Sequence, residues 1–247
     1  MKVDAIMNCA VLHSVGAVAR EAERLGFDGL LVPETSHDPF LALTLAAEQT
    51  DGVELGTRVA AALPRSPMHL AQVSHDLQTY CGGRLTLGLG AGNRTDLEQR
   101  FGVGWSQPVA RMREMVLALR AIWRSWNEGE PLHFEGEFYR HTLMTSAFNP
   151  GPTGWGPPRI FLSAAEVEMA EVAGEVADGL FVTGPSSRRN LADVILPALE
   201  RGLCRSGRKR SNVEVSIAVP SPCSAAELDG ESFETYRDLA DRIAVAI

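Results

Sequence analysis

Residues 26–40, GFDGLLVPETSHDPF, predict a helix end, a buried strand and a polar loop in immediate succession. Gly26 is the type of residue that ends a helix in the left-handed conformation. The apolar run at residues 30–32 is too short for a buried helix and suits an interior strand of a parallel sheet. Ligands of parallel α/β folds bind at the carboxyl ends of the strands, so the loop after this strand is the first candidate site.

Three titratable side chains of this loop are candidate catalytic residues, namely Glu34, His37 and Asp38. His37 is the preferred candidate, because a loop histidine donates, accepts or shuttles a proton near neutral pH. Asp38 precedes Pro39 and therefore also fits the N-cap of a helix that begins with proline. Glu34 is equally compatible with a solvated or ion-paired carboxylate. A structural role and a catalytic role thus stay open for Glu34 and Asp38.

The composition is that of a globular protein without a nucleic-acid or membrane signal. The chain has 247 residues, 45% of them hydrophobic, and a formal net charge of −8. This length fits a single α/β barrel, and the negative charge argues against a nucleic-acid partner. We find no apolar run long enough to cross a bilayer and no signal peptide, so we expect a cytoplasmic protein. The four cysteines are far apart and lack metal-ligand spacing, which argues against a metal site.

Strand and helix patterns alternate every ~25–30 residues, which predicts a parallel sheet wound with helices. Besides residues 30–32, strands are expected at residues 3–7, 53–59, 84–89, 160–163, 179–183 and 213–219. Helices are expected at residues 14–25, 39–48, 66–81, 108–128, 165–176, 188–203 and 231–243. Seven strands are one short of a closed barrel, so we expect one TIM-type (β/α) barrel domain, residues 1–247, that is incomplete or shortened at its C-terminus.

Individual residues mark where several of these helices begin and end. Ser14 and Ser66 are expected N-caps, and Ser66 is followed by proline at the first helical position. The pair at residues 82–83, two glycines, ends the third helix. The inward face of that helix is expected to carry four residues at helical spacing: Leu70, Val73, Leu77 and Tyr80.

The alternation breaks after the fourth strand. Residues 131–142 predict a hairpin, and residues 143–158, with four prolines and three glycines, predict irregular chain. We expect residues 131–158 to form an insertion that crosses the mouth of the fold. Aromatic residues of this region either roof a bound ring or pack onto the barrel; they are Trp105, Phe138, Tyr139 and Phe148.

Several stretches resemble the luciferase-like monooxygenase superfamily, in its branch of coenzyme F420-dependent oxidoreductases. They extend over nearly the whole chain and read AERLGFDGLLVPETSHDPF, GGRLTLGLGAGNRTDLEQRFGVGW, RMREMVLALRAIW, GEFYRHTLM and EVAGEVADGLFV. The resemblance implies a (β/α)8 barrel, a deazaflavin or flavin at the carboxyl ends of the strands, and hydride transfer at its ring. It also implies a homodimer.

The resemblance assigns positions around that cofactor residue by residue. His37 corresponds to the histidine that lies against the ring. A bulge of the third strand supports the back of the ring and corresponds to Ala60, Ala61 and Ala62. The cofactor-lining loop after the fourth strand corresponds to Gly90, Ala91, Gly92 and Asn93. The phosphate-binding helix start corresponds to Ser163, Ala164 and Ala165, and a neighbouring loop corresponds to Thr183 and Gly184.

Two features of the sequence bear on how such a cofactor is held. Glycines at 88, 90 and 92 permit close approach of a planar ring to the backbone. The family usually has a small residue, glycine and proline at the phosphate-binding helix start, whereas this chain has Ala165, Glu166 and Val167, followed by Glu168. Carboxylates at a helix N-terminus occupy the position that attracts an anion, so they oppose phosphate binding.

Three functions are compatible with the sequence. The first is an oxidoreductase that transfers hydride between coenzyme F420 and a small organic substrate. The second is an FMN-dependent monooxygenase. The third is a degenerate, non-catalytic barrel paralogue that acts as a subunit or a ligand-binding protein, which Glu166 and Glu168 favour.

Overall fold

The computed structural model describes residues 1–8, 11–183 and 188–218. Seven parallel strands lie side by side in chain order, and a two-residue strand continues the third of them. A separate antiparallel hairpin supplies two more short strands. The strands are β1 (Asp4–Ile6), β2 (Gly29–Val32), β3 (Glu54–Thr57), β4 (Ala60–Ala61), β5 (Leu85–Gly90), β6 (Phe134–Glu135), β7 (Arg140–His141), β8 (Arg159–Ala164), β9 (Gly179–Val182) and β10 (Glu214–Ile217).

The sheet curls into a half-barrel with helices on its outer face. Among the described residues, β1 pairs only with β2 and β10 only with β9. The predicted order of seven strands and the TIM-type architecture are therefore confirmed. The helix expected at residues 231–243 lies outside the described residues. The described helices are α1 (Val15–Leu25), α2 (Pro39–Ala47), α3 (Pro67–Tyr80), α4 (Pro108–Glu128), α5 (Val167–Val176), α6 (Arg188–Asn190) and α7 (Leu196–Ser206).

Most helix ends follow the local signals of the sequence. Gly26 ends α1 with a φ of 84°, and Gly129 ends α4 with a φ of 72°. The Ser66 side chain accepts a hydrogen bond from the His69 amide at the start of α3. Ser14 is the exception, because its hydroxyl donates to the Val11 carbonyl at 2.9 Å and caps no amide of α1.

Strand β2, which contains the apolar run at residues 30–32, is buried at every position. Leu30 and Val32 belong to the large core that the helices cover, whereas Leu31 packs in a small cluster with Phe161 and Phe181 inside the half-barrel. Alternate residues of a strand point to opposite faces. A strand covered on both faces is therefore apolar throughout, which explains the uninterrupted run in the sequence.

A β-bulge separates β3 from β4. Gly56 pairs with Thr86 of β5, and the pairing resumes with Ala60 beside Leu89. Between these two pairs the chain advances by four residues in the third strand and by three residues in β5. The third strand therefore contains one extra residue. The extra residue lies among residues 57–59, directly before Ala60, Ala61 and Ala62, to which the resemblance assigned the bulge.

The insertion forms the predicted hairpin, but its later part does not follow the predicted course across the mouth of the fold. The Glu114 carboxylate of α4 accepts hydrogen bonds from three successive amides of the hairpin loop, Glu137, Phe138 and Tyr139, at 2.6–3.0 Å. The later, proline-rich part contacts α3, where the His75 imidazole meets the Gly151 carbonyl at 3.0 Å.

This contact places the end of the insertion at the opposite edge of the sheet. Trp155 lies against Gly83, in the turn between the end of α3 and the start of β5. That turn is at the amino end of the strands. Prolines and glycines predicted an irregular path, but they contain no information about which edge of the sheet the path follows.

Two further observations concern the outer surface. Tyr80 was expected on the inward face of α3, but it is 54% exposed and its hydroxyl donates to Glu48 of α2. None of the helices in the described ranges combines the length and the apolar character that crossing a bilayer requires.

Candidate functional site

One row of residues crosses the carboxyl edge of five strands. Ala61 pairs with Gly90, and a Cβ placed on Gly90 would lie 3.8 Å from the Cβ of Ser163. Ser163 pairs with Phe181, which in turn pairs with Ser216 of β10. The first three members of this row are small, and the Val59 side chain fills the space over Gly90. We call this low surface the floor; it lies at the edge of the sheet where ligands of parallel folds bind.

The glycines of β5 are explained by contacts within the protein. A Cβ on Gly88 would overlap the Thr57 carbonyl oxygen and lie 2.6 Å from the Phe181 ring. A Cβ on Gly90 would lie 2.6 Å from Val59. Gly92 has a φ of 72° and lies beyond the strand. The expectation that these glycines serve the approach of a ring is therefore corrected for Gly88, whose missing side chain makes room for β3 and Phe181, and for Gly90, whose missing side chain makes room for Val59.

Glu34 lies at the centre of an ion-pair network. Its carboxylate accepts hydrogen bonds from the Ala61 amide at 2.7 Å and from both terminal nitrogens of Arg65, at 2.7 and 3.1 Å. Arg65 also donates to the Ala61 carbonyl at 2.8 Å. The Glu34 side chain is only 14% exposed. Of the two interpretations of Glu34, the structure favours the ion-paired carboxylate.

Asp38 joins the same network from the next turn of the loop. One of its oxygens accepts from the Phe40 amide at 2.8 Å, so Asp38 caps α2 as predicted. The other oxygen accepts from Arg65 at 2.8 Å. His37 precedes Asp38 in the loop after β2 and is half-buried, and the contacts of this loop with Ala61 and Arg65 are made by Glu34 and Asp38.

Arg65 carries a positive charge that this network stabilises. Burial by itself lowers the pKa of the guanidinium, but the hydrogen bonds and negative charges of Glu34 and Asp38 outweigh it and raise the pKa above its ordinary value. Arg65 was not identified from the sequence, because its partners lie on a loop that precedes it by about 30 residues.

The loop after β5 is shaped by Asn93. The side-chain oxygen of Asn93 accepts from the Asp96 amide at 2.9 Å, and its nitrogen donates to the Asp96 carboxylate at 2.6 Å. These bonds fix the start of the short helical segment Asp96–Arg100. Asn93 and Gly92 are exposed and Ala91 is half-buried, so backbone of this loop is accessible from the site.

The predicted phosphate-binding residues meet at the ends of β8 and β9. The Ser163 hydroxyl lies 3.3 Å from that of Thr183, and the Thr183 amide donates to the Ala164 carbonyl at 3.0 Å. Ala165 is exposed and precedes Glu166, the N-cap residue of α5. Glu166 makes no side-chain cap bond, and Glu168 stands in the first turn. Gly184 lies outside the described residues.

Arg58 is a second buried cation that the sequence did not reveal. Its guanidinium lies 4.4 Å from the centre of the Phe181 ring and donates to the Ser216 hydroxyl at 3.1 Å. Burial lowers its pKa to about 10, and the charge of Asp4 opposes that effect. Arg58 thus remains protonated near neutral pH inside the half-barrel. No three His, Cys, Asp or Glu side chains within the described ranges converge as metal ligands would.

Comparison with known proteins identifies relatives of the chain. The sequence model of the luciferase-like monooxygenases matches residues 3–244. An uncharacterised protein of Mycobacterium tuberculosis is 50% identical over 220 residues, which cover 88% of this chain and 65% of that protein. An F420-dependent glucose-6-phosphate dehydrogenase of Intrasporangium calvum is 32% identical over 215 residues, which cover 80% of this chain and 62% of the enzyme. The chain therefore spans slightly less than two thirds of the length of these relatives.

Solved structures share the fold. The coenzyme F420-dependent tetrahydromethanopterin reductase of Methanopyrus kandleri superimposes with a TM-score of 0.74 at 21% identity, over 88% of this chain and 65% of the reductase. The oxygenating constituent of 3,6-diketocamphane monooxygenase from Pseudomonas putida, in complex with FMN, superimposes with a TM-score of 0.68 at 19% identity, over 87% of this chain and 66% of the enzyme. The half-barrel is thus the fold of both deazaflavin and flavin enzymes.

Proposed function

The chain belongs to the luciferase-like monooxygenase family, and we propose that it is an oxidoreductase that transfers hydride between coenzyme F420 and a small organic substrate. The observation that carries the proposal is the low floor of Ala61, Gly90 and Ser163 at the carboxyl edge, beside the His37 loop. A relative that is 32% identical is named for its dependence on F420. On the resemblance alone, we also propose a homodimer in the cytoplasm.

The residues of the floor fit a flat ring. Ala60 and Ala62 are buried, and the half-buried Ala61 presents its methyl group and backbone without a bulky side chain. A planar aromatic system packs well on such a surface, and the protein orients the cofactor while the cofactor carries the chemistry.

Some of the groups near the start of α5 favour phosphate binding and others oppose it. The Ser163 hydroxyl donates to the Thr183 hydroxyl at 3.3 Å, so the Thr183 hydroxyl can in turn donate to a phosphate. The N-terminus of α5 adds backbone amides and a positive dipole end. Glu166 and Glu168 oppose an anion there, but both side chains are exposed, so solvent screens their charges.

We assign the chemical roles as follows. The bound deazaflavin supplies the ring carbon that accepts or donates hydride. His37 donates or accepts the accompanying proton at its imidazole, because an imidazole can act as a general acid or a general base. Ala60, Ala61 and Ala62 support the back of the ring, and Gly90, Ala91, Gly92 and Asn93 line its edge. Ser163, Ala164, Ala165 and Thr183 would hold the phosphate.

A binding titration tests the proposal. We expect purified, folded protein to bind F420 with a dissociation constant tighter than ~10 μM, measured from the quenching of deazaflavin fluorescence. FMN is titrated in parallel. Tight binding of FMN with no binding of F420 would replace the proposal by the FMN-dependent monooxygenase. Binding of neither cofactor would overturn both and leave the non-catalytic paralogue.

A further inference from the structure

Ala61, in the strand segment that follows the bulge, has both of its backbone polar groups hydrogen-bonded to side chains. The amide of Ala61 donates to Glu34, and the carbonyl of Ala61 accepts from Arg65. Arg65 and Glu34 are themselves joined by two hydrogen bonds. We infer that Arg65 and Glu34 form a clamp on Ala61, in which Arg65 is a positioning residue that fixes the floor for the cofactor ring. The inference rests on the proposed function.

The contacts of the clamp distinguish it from an ordinary ion pair. Arg113 of α4 and Glu175 of α5 also form a pair with two short hydrogen bonds, at 2.9 and 2.5 Å. That pair joins two helix surfaces through side chains alone. The clamp instead binds the backbone of Ala61 at its donor and at its acceptor, so it determines the orientation of that peptide group.

Burial strengthens the clamp. The Arg65 and Glu34 side chains are 20% and 14% exposed, whereas Arg113 is 45% exposed. Hydrogen bonds between charged groups are stronger away from water, and a planar guanidinium fixes the geometry of its partners. Arg65 in addition holds Asp38, the cap of α2. The clamp therefore connects the bulge to the loop that carries His37.

The clamp assigns Glu34 and Asp38 a role different from catalysis. Both carboxylates accept hydrogen bonds from Arg65, and each also accepts one from a backbone amide. Their acceptor positions are thus directed at the protein. On this inference, Glu34 and Asp38 fix the position of the loop relative to the bulge. Of the three candidate residues, His37 alone then acts on the reacting atoms.

The first experiment measures the clamp without any ligand. Hydrogen exchange is followed by mass spectrometry in a peptide that covers Ala61 and Ala62, for the wild type, Arg65→Lys and the matched control Arg113→Lys. Lysine keeps the charge but cannot reproduce the fork of a guanidinium. We expect at least ~10-fold faster exchange in Arg65→Lys and no change in Arg113→Lys. Equal exchange in all three proteins would overturn the inference.

The second experiment measures the effect on the cofactor. F420 and FMN are titrated into the same three proteins, and the absorbance spectrum of the bound ring is recorded. We expect Arg65→Lys to weaken binding of the preferred cofactor by ~10-fold or more and to shift the bound spectrum toward that of the free cofactor. Arg113→Lys should match the wild type in both, since its pair lies between outer helices.

The outcomes separate the inference from the proposed function. A wild type that binds neither cofactor refutes the function and, with it, the purpose assigned to the clamp. A wild type that binds, together with Arg65→Lys that binds equally well at a lower melting temperature, refutes the inference alone, because Arg65 is then merely structural. If Arg65→Lys does not fold, Glu34→Gln is measured in its place, and unchanged binding and exchange in that variant likewise refute the inference.

Discussion

The guanidinium of Arg58 donates a hydrogen bond to the hydroxyl of Ser216, with 3.1 Å between Nη1 and Oγ. The two residues are 158 positions apart in the chain, and the bond spans the interior of the half-barrel from the bulge to β10. The second terminal nitrogen of Arg58 is buried and makes no hydrogen bond within the described residues. A buried cation thus depends on one hydroxyl and on the face of Phe181.

Ser216→Ala should lower the stability of the protein. The substitution removes the Ser216 acceptor from Arg58, whose other terminal nitrogen is already buried without a hydrogen bond, and loss of a hydrogen bond to a charged group costs roughly 1–3 kcal/mol. Urea denaturation of the variant and the wild type measures the difference in the free energy of unfolding. Ser211→Ala, at an exposed position that precedes β10, is the control. Equal midpoints for Ser216→Ala and the wild type would contradict the prediction.

Asp4 should make stability fall as the pH rises. Burial, followed by repulsion from Glu54 and Glu214, raises the pKa of this carboxyl from 3.8 to about 6. The folded protein therefore binds the proton more tightly than the unfolded chain. Ionisation of Asp4 lowers the free energy of unfolding as the pH rises from about 4 to about 6.

Asp4→Asn removes this ionisation and tests the effect. We expect the variant to be more stable than the wild type by about 1–3 kcal/mol at pH 7.5 and to lose most of that advantage at ~pH 4. The measurement is urea denaturation of both proteins at each pH, with the exposed Asp51→Asn as control. A difference between Asp4→Asn and the wild type that is the same at both pH values would refute the assignment to Asp4.

His37→Ala should impair turnover while it preserves binding of the cofactor. If His37 transfers the proton that accompanies hydride transfer, its loss reduces the turnover number by at least ~100-fold. The turnover number is measured with F420 and the substrate that a screen of small organic compounds identifies. His133→Ala, at an exposed position before β6, is the control. A variant at position 37 that turns over at the wild-type rate would remove His37 from the mechanism.

Glu166→Gln and Glu168→Gln should tighten the binding of a phosphate-bearing cofactor. Each substitution removes a negative charge at the N-terminus of α5, where a charge contributes ~0.3–1 kcal/mol, so we expect ~2–5-fold tighter binding for each. The gain should shrink with added salt, because both side chains are exposed. Titration of F420 and FMN measures it, with Glu200→Gln on α7 as the control. Affinities that do not change would place the phosphate elsewhere.

Local patterns of the sequence determined the elements and their order. The apolar run of β2, the cap at Asp38, the cap and proline at Ser66 and the glycines at 26 and 129 all act within a few residues of themselves. Hydrogen bonds of this range and the periodicity of buried positions follow from the chain alone. For this reason the strand order, the TIM-type fold and the loop that carries His37 were predictable.

Contacts between distant residues were decided only by the tertiary structure. No residue next to Glu34 in the sequence indicates that its carboxylate accepts hydrogen bonds from Arg65 and from the Ala61 amide. Likewise, no residue next to Gly88 indicates that Thr57 and Phe181 occupy the space where its side chain would lie. The insertion likewise reaches the amino edge through His75 and Gly83. Such pairings depend on how the sheet curls and on which groups are left to satisfy each other there. No periodicity or spacing in the sequence records that geometry, because it arises only when all the strands are in register.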